Sequence, residues 1–83
     1  MYHVYILQSN TTHRYYVGST QDVANRLTEH NRGESLSTRA GIPWHVIRVE
    51  NFTTRAKAMS QEKRIKSGGA ARYLAGLDKQ RPG

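Results

Sequence analysis

Residues 2–18, YHVYILQSNTTHRYYVG, decide how this chain folds. Residues 2–8 are rich in aromatic and β-branched side chains and read as a strand. Ser9 to Thr12 form a polar turn cluster, and residues 14–18, RYYVG, read as a second strand that Gly18 ends. Two such runs joined by a short polar turn predict an antiparallel hairpin. Four tyrosines fall in it: Tyr2, Tyr5, Tyr15 and Tyr16. A buried phenol needs a hydrogen-bond partner, so tyrosines favour the boundary between core and solvent. The plainer account of all four is a strand surface held by cross-strand aromatic pairs.

Downstream of the hairpin, the spacing predicts a helix from about Asp22 to Asn31, capped by Thr20, with Val23 and Leu27 as its apolar stripe and Gly33 closing it. Glu34 to Pro43 reads as a polar loop. Residues 44–50, WHVIRVE, alternate as a third strand, with Trp44, Val46 and Arg48 on one face and His45, Ile47 and Val49 on the other. Thr53 or Thr54 caps a second helix reaching about Ser67, on which Ala58, Met59, Glu62 and Ile65 share a face. Gly68 and Gly69 interrupt it. A short helix over Ala70 to Leu77 and a loose tail, residues 78–83, complete the chain. The expected architecture is α+β, in the order β-β-α-β-α-α: a three-stranded antiparallel sheet flanked by helices, forming one domain with its core at about residues 2–75.

Composition narrows the function classes. The 83 residues contain no cysteine, which excludes disulfides and thiolate zinc sites. The net charge is +7, and it is uneven. Residues 1–54 carry five basic and four acidic side chains, whereas residues 55–83 carry eight and two. Such a gradient points to a polyanionic partner, nucleic acid first. The N-terminus lacks a basic segment followed by a long apolar run, and no stretch approaches a membrane span. A cytoplasmic location with no membrane partner is the expectation.

Chemistry-bearing residues are few. Arg26 and His30 stand four apart, one turn along a helix face, where a solvated polar face is the plainer account. Glu62 lies on an apolar stripe, a costly position unless it is paired with a cation such as a nearby arginine or bound to a metal. The six carboxylates form no acidic cluster in sequence, which argues against a two-metal nuclease. There is no H-E-x-x-H and no glycine-rich phosphate loop.

Taken in order, His3-Val4-Tyr5, Tyr16-Val17-Gly18, Arg26, His30 and Glu62 resemble the GIY-YIG endonuclease superfamily. The likeness spans roughly residues 2–75 and is nearest to the small stand-alone bacterial members. It departs from the naming tripeptides at His3, Val4 and Val17. Ser19 stands where some members carry lysine, and no asparagine follows Glu62.

The resemblance implies a metal-dependent endonuclease acting on DNA, directed by structure rather than by sequence, with RNA as another candidate substrate. It implies a one-metal mechanism in which Glu62 holds a single Mg²⁺ or Mn²⁺, Arg26 grips the phosphate and Tyr5 is the general base. Tyr16 and His30 orient water and phosphate or share the proton. Lys63, Arg64, Lys66, Arg72 and Arg39 are the expected backbone contacts, and other repair or processing proteins are candidate partners. Two further readings are a non-catalytic nucleic-acid-binding module on the same fold and a basic subunit docking on an acidic protein.

Overall fold

The computed structural model describes residues 1–79. Its elements are β1 (Tyr2–Ser9), β2 (Tyr15–Thr20), α1 (Val23–Asn31), a 3-10 turn (Arg39–Gly41), β3 (Trp44–Phe52), α2 (Arg55–Gly68) and α3 (Ala70–Lys79). The three strands form one sheet in the order β2-β1-β3, both pairings antiparallel. The expected α+β order and the antiparallel sheet are therefore present. Of the anticipated tail, Asp78 and Lys79 belong to α3, and residues 80–83 lie outside the described residues.

β1 is central because its middle is apolar on both faces. Val4, Tyr5, Ile6 and Leu7 are consecutive and all buried, as a strand covered on two sides requires. Val4 and Ile6 pack with Val17, Ala58, Ile65 and Ala70 under α2 and α3. Tyr5 and Leu7 pack on the opposite side with Trp44, Tyr16, Val23, Leu27 and Val46, where α1 lies.

The expected alternation of β3 is broken. A register shift opposite Ile6 and Leu7 pairs Ile6 with Arg48 but Leu7 with Val46, leaving Ile47 as the extra residue of a bulge. Trp44 and Val46 therefore serve the α1 side. Arg48, Glu50 and Phe52 lie opposite Ile6, Val4 and Tyr2 and face α2 and α3. The single face expected for Trp44, Val46 and Arg48 is thus split between the two cores.

Three local expectations also change. β2 runs past Gly18 to Thr20. Asp22, not Thr20, caps α1, its carboxylate accepting from Asn25 N at 3.0 Å, while the Thr20 hydroxyl accepts from Asp22 N. The acidic cap also suits the positive end of the helix dipole. On α2, capped by Thr54, Ala58 and Ile65 are buried, but Met59 is 53% exposed. One residue on from Ala58, it is turned about 100° around the helix and away from the sheet.

The α1 layer is tied to the sheet at its C-terminal end. The Asn31 amide accepts from Trp44 N at 2.7 Å and donates to Trp44 O at 3.0 Å, mimicking a strand partner for the first residue of β3. Trp44 Nε1 donates to Thr38 O at 2.7 Å, so the same tryptophan also holds the preceding loop. A β-carbon at Gly41 would come within 2.3 Å of the Trp44 ring, and only glycine lets the loop close so tightly over the indole.

Candidate active site

Tyr5 and Gly18 are direct partners across β1 and β2. A β-carbon at Gly18 would stand 2.6 Å from the Tyr5 hydroxyl oxygen, so the phenol lies over the bare glycine backbone. That space carries Tyr5 toward α1, where its hydroxyl meets His30 Nε2 at 3.1 Å. Tyr16, two residues before Gly18 on the same face, packs its ring 4.7 Å from the His30 ring and 6.2 Å from that of Tyr5. His30 is fully buried, and its other nitrogen, Nδ1, lies 2.8 Å from Thr38 Oγ1.

Arg26, one turn before His30 on α1, completes this group. Burial raises the Tyr5 pKa, and hydrogen bonding from Arg26 offsets part of that rise. The guanidinium is in turn stabilised first by Tyr5 and then by Glu29, whose carboxylate lies 2.5 Å from Arg26 Nη1. His30 is pushed the other way. Burial, and then the Arg26 charge, lower its pKa and favour neutral imidazole.

Glu62 approaches from α2, on the far side of the edge strand. Burial raises its pKa, but hydrogen bonds from Lys66 and Ser19 outweigh this and hold the carboxyl below its ordinary value. Lys66 Nζ is 2.7 Å from Glu62 Oε2, so the partner is a lysine rather than the arginine considered from sequence. The Glu62 charge is the smallest of the influences on the Tyr5 pKa, which it raises. Glu62 lines an open cavity of about 630 Å³ with Ser19, Arg55, Met59, Ser60, Lys63 and Lys66.

A GIY-YIG catalytic domain matches residues 1–73. The chain belongs to the GIY-YIG family. It is 39% identical over 67 residues to a UPF0213 protein of Halobacterium salinarum, covering 80% of this chain and 86% of that one. It is 37% identical over 82 residues to the structure-specific endonuclease subunit SLX1 of Meyerozyma guilliermondii, covering 90% of this chain but only 28% of that longer protein. In three dimensions it is similar to the solution NMR structure of a UPF0213 protein from Bacillus halodurans, with a TM-score of 0.59, 26% identity and coverage of 96% and 86% of the two chains.

Within this GIY-YIG fold the five residues singled out for chemistry come from four elements: β1 (Tyr5), β2 (Tyr16), α1 (Arg26 and His30) and α2 (Glu62). Tyr5, Tyr16 and His30 are in mutual contact, Arg26 stands one turn before His30 on α1, and Glu62 lies on α2, which packs on the opposite face of the sheet beside Ser19. The five basic residues expected to meet nucleic acid do not form one patch. Lys63 and Lys66 share the Glu62 cavity. Arg64 and Arg72 instead line a separate depression with Gln61, Tyr73 and Leu77. Arg39 donates from Nε and Nη2 to Gly33 O, at 3.1 and 3.0 Å, and braces its own loop.

Three residues of the site were not singled out in the sequence: Arg55 lines the Glu62 cavity, Glu29 pairs with Arg26, and Thr38 bonds His30. Ser19, marked there only as a departure from the family pattern, lines the same cavity. Only the Arg26–Glu29 pair, three apart on one helix, had a local signal. The others depend on contacts between elements distant in the chain.

The Glu62 site is compatible with one hard divalent cation. Its carboxylate is favoured in the ionised form and faces open space beside Ser19. Among the described residues no three His, Asp or Glu side chains gather at one point. A cation here would draw its remaining ligands from water and phosphate, which Mg²⁺ accepts readily.

Proposed function

We propose that this chain is a DNA endonuclease of the GIY-YIG type, hydrolysing phosphodiester bonds with one divalent cation and directed by the shape of the DNA. The observation that carries this reading is the contact of the Tyr5 hydroxyl with His30 Nε2 beside the Tyr16 ring, with Arg26 one turn before His30 on the same helix. The similarity to structure-specific endonuclease subunits supports it.

Glu62 would hold Mg²⁺ or Mn²⁺, with Lys66 turning from the carboxylate to the DNA backbone. The bound ion would polarise the phosphate and stabilise the departing oxygen. Arg26 would grip a non-bridging oxygen with its planar fork, an interaction that strengthens as charge builds in the transition state. Tyr5 is only 1% exposed, so DNA binding would have to open the packing over the phenol for it to act as general base toward the attacking water. Tyr16 would pack beside the phosphate and keep the His30 ring in place. Lys63 and Lys66, with Arg55, would hold backbone phosphates next to Glu62, and Arg64 and Arg72 would engage a second stretch.

The burial of Tyr5 and the Lys66 partner on Glu62 favour a second reading, in which the same surface binds nucleic acid without cutting it. Incubating the purified chain with supercoiled and branched DNA in Mg²⁺ or Mn²⁺ separates the two. Nicking that is lost with chelator and with Glu62→Ala supports the endonuclease. Tight binding with no product under any of these conditions supports the binding module.

A further inference from the structure

His30 is fully buried and held at both ring nitrogens, by Tyr5 on one side and Thr38 on the other. A neutral imidazole has one donor nitrogen and one acceptor, so its tautomer decides whether Tyr5 meets a lone pair or an N–H. The partners at the two ends agree. The Thr38 hydroxyl has the Ser35 carbonyl 3.4 Å away as an acceptor for its single hydrogen. With that hydrogen directed to Ser35 O, Thr38 Oγ1 accepts from His30 Nδ1–H. With Nδ1 carrying the hydrogen, His30 Nε2 presents a bare lone pair to the Tyr5 hydroxyl 3.1 Å away, which donates to it.

Thr38 is itself fixed. It is 1% exposed, its N–H donates to Ser35 O at 3.3 Å, and its carbonyl accepts from Gly41 N at 3.1 Å and Trp44 Nε1 at 2.7 Å.

We propose that Thr38 is a positioning residue that holds His30 in the Nδ1–H tautomer, so that Nε2 is the acceptor for the Tyr5 proton. The relay rests on the endonuclease reading; the tautomer does not. In the relay, water oxygen attacks phosphorus and gives its proton to the Tyr5 oxygen. The phenolic proton passes to His30 Nε2, forming imidazolium, as one ester P–O bond breaks. The departing oxygen takes a proton from solvent, and His30 returns its proton through Tyr5. Tyr5 from β1, the Tyr16 ring from β2, and Arg26 and Glu29 from α1 are the titratable groups that face or act on His30. Thr38, from the loop, adds a hydroxyl and no charge.

Long-range ¹⁵N–¹H spectra of the whole chain near neutral pH read the tautomer directly. The expected wild-type signature is protonated Nδ1 and bare Nε2. Thr38→Val keeps the side-chain shape but removes the acceptor, and should move His30 toward the Nε2–H form, whereas Thr38→Ser should keep the wild-type pattern. In nicking assays Thr38→Val should lower kcat by about tenfold to a thousandfold with DNA affinity unchanged, and Thr38→Ser should restore it. A wild-type spectrum showing Nε2–H would overturn the proposal, even if Thr38→Val failed to fold. An unchanged tautomer in folded Thr38→Val would overturn it too. The expected spectra from a chain that cuts no DNA would support the tautomer and remove both the relay and the endonuclease reading.

Discussion

The Tyr5 hydroxyl sits over Gly18, its direct partner on β2, so closely that a β-carbon at that glycine would lie 2.6 Å from the phenol oxygen. Gly18 therefore owes its place to what lies across the strand pair. Gly18→Ala should force Tyr5 from its position beside His30. The expected cost is about 1–3 kcal/mol of stability, typical of overpacking, together with loss of nicking. A variant with wild-type melting behaviour and activity would show that the phenol has room to move.

Tyr5→Phe removes only the hydroxyl. It should reduce nicking by about a hundredfold or more if the phenol is the general base. His30 Nε2 then loses its partner, a penalty of about 1–3 kcal/mol for a buried polar atom left unsatisfied. Denaturant titration and single-turnover nicking, run on the same preparation, separate the two effects.

His30 and Glu50 predict the pH response of stability. Both have folded pKa values lowered from their ordinary positions, so the unfolded chain binds more protons and stability falls as pH falls. For His30 the loss should begin as pH drops through about 6.5, the unfolded value, and continue toward its lower folded one. For Glu50 it should begin near the ordinary carboxylate range. Denaturation midpoints at pH 8, 6 and 5 should decline in that order, and His30→Gln should flatten the upper part of the decline. A midpoint independent of pH over this range would contradict the burial of a neutral His30.

Glu50 also ties α3 to the sheet. Its carboxylate accepts from the Tyr73 hydroxyl, from Arg48 Nε at 2.5 Å and from Gln61 Nε2 at 2.9 Å. Tyr73→Phe should cost about 1 kcal/mol, the usual net worth of a hydrogen bond or slightly more with a charged partner. It should leave nicking intact, because this network lies on the opposite face from Tyr5 and His30. Thermal melting and a nicking assay check both halves of the statement.

Binding to DNA should weaken steeply with salt. Lys63→Ala and Arg55→Ala, at the rim of the Glu62 cavity, should each reduce the log–log salt slope by about one if each neutralises one phosphate. Arg39→Ala should leave the slope unchanged, since that guanidinium is spent on Gly33 O. Equal slopes for all three variants would count against a backbone groove beside Glu62.

The hairpin, the three helices and the order of elements were legible in the sequence because each depends on local pattern: the apolar run VYIL, the 3–4 spacing on α1, and the threonine before α2. The tyrosines, Arg26, His30 and Glu62 could be singled out in the same way, as residue types at a recognisable spacing. What surrounds them could not. The bulge at Ile47 divides β3 between two cores, Glu62 takes Ser19 and Lys66 as partners, and Thr38 reaches His30 from a loop. Period-two and period-3.6 patterns encode which face a side chain takes within its own element. They carry no information on how far elements slide before their cores close, and that packing determines which distant polar atoms meet.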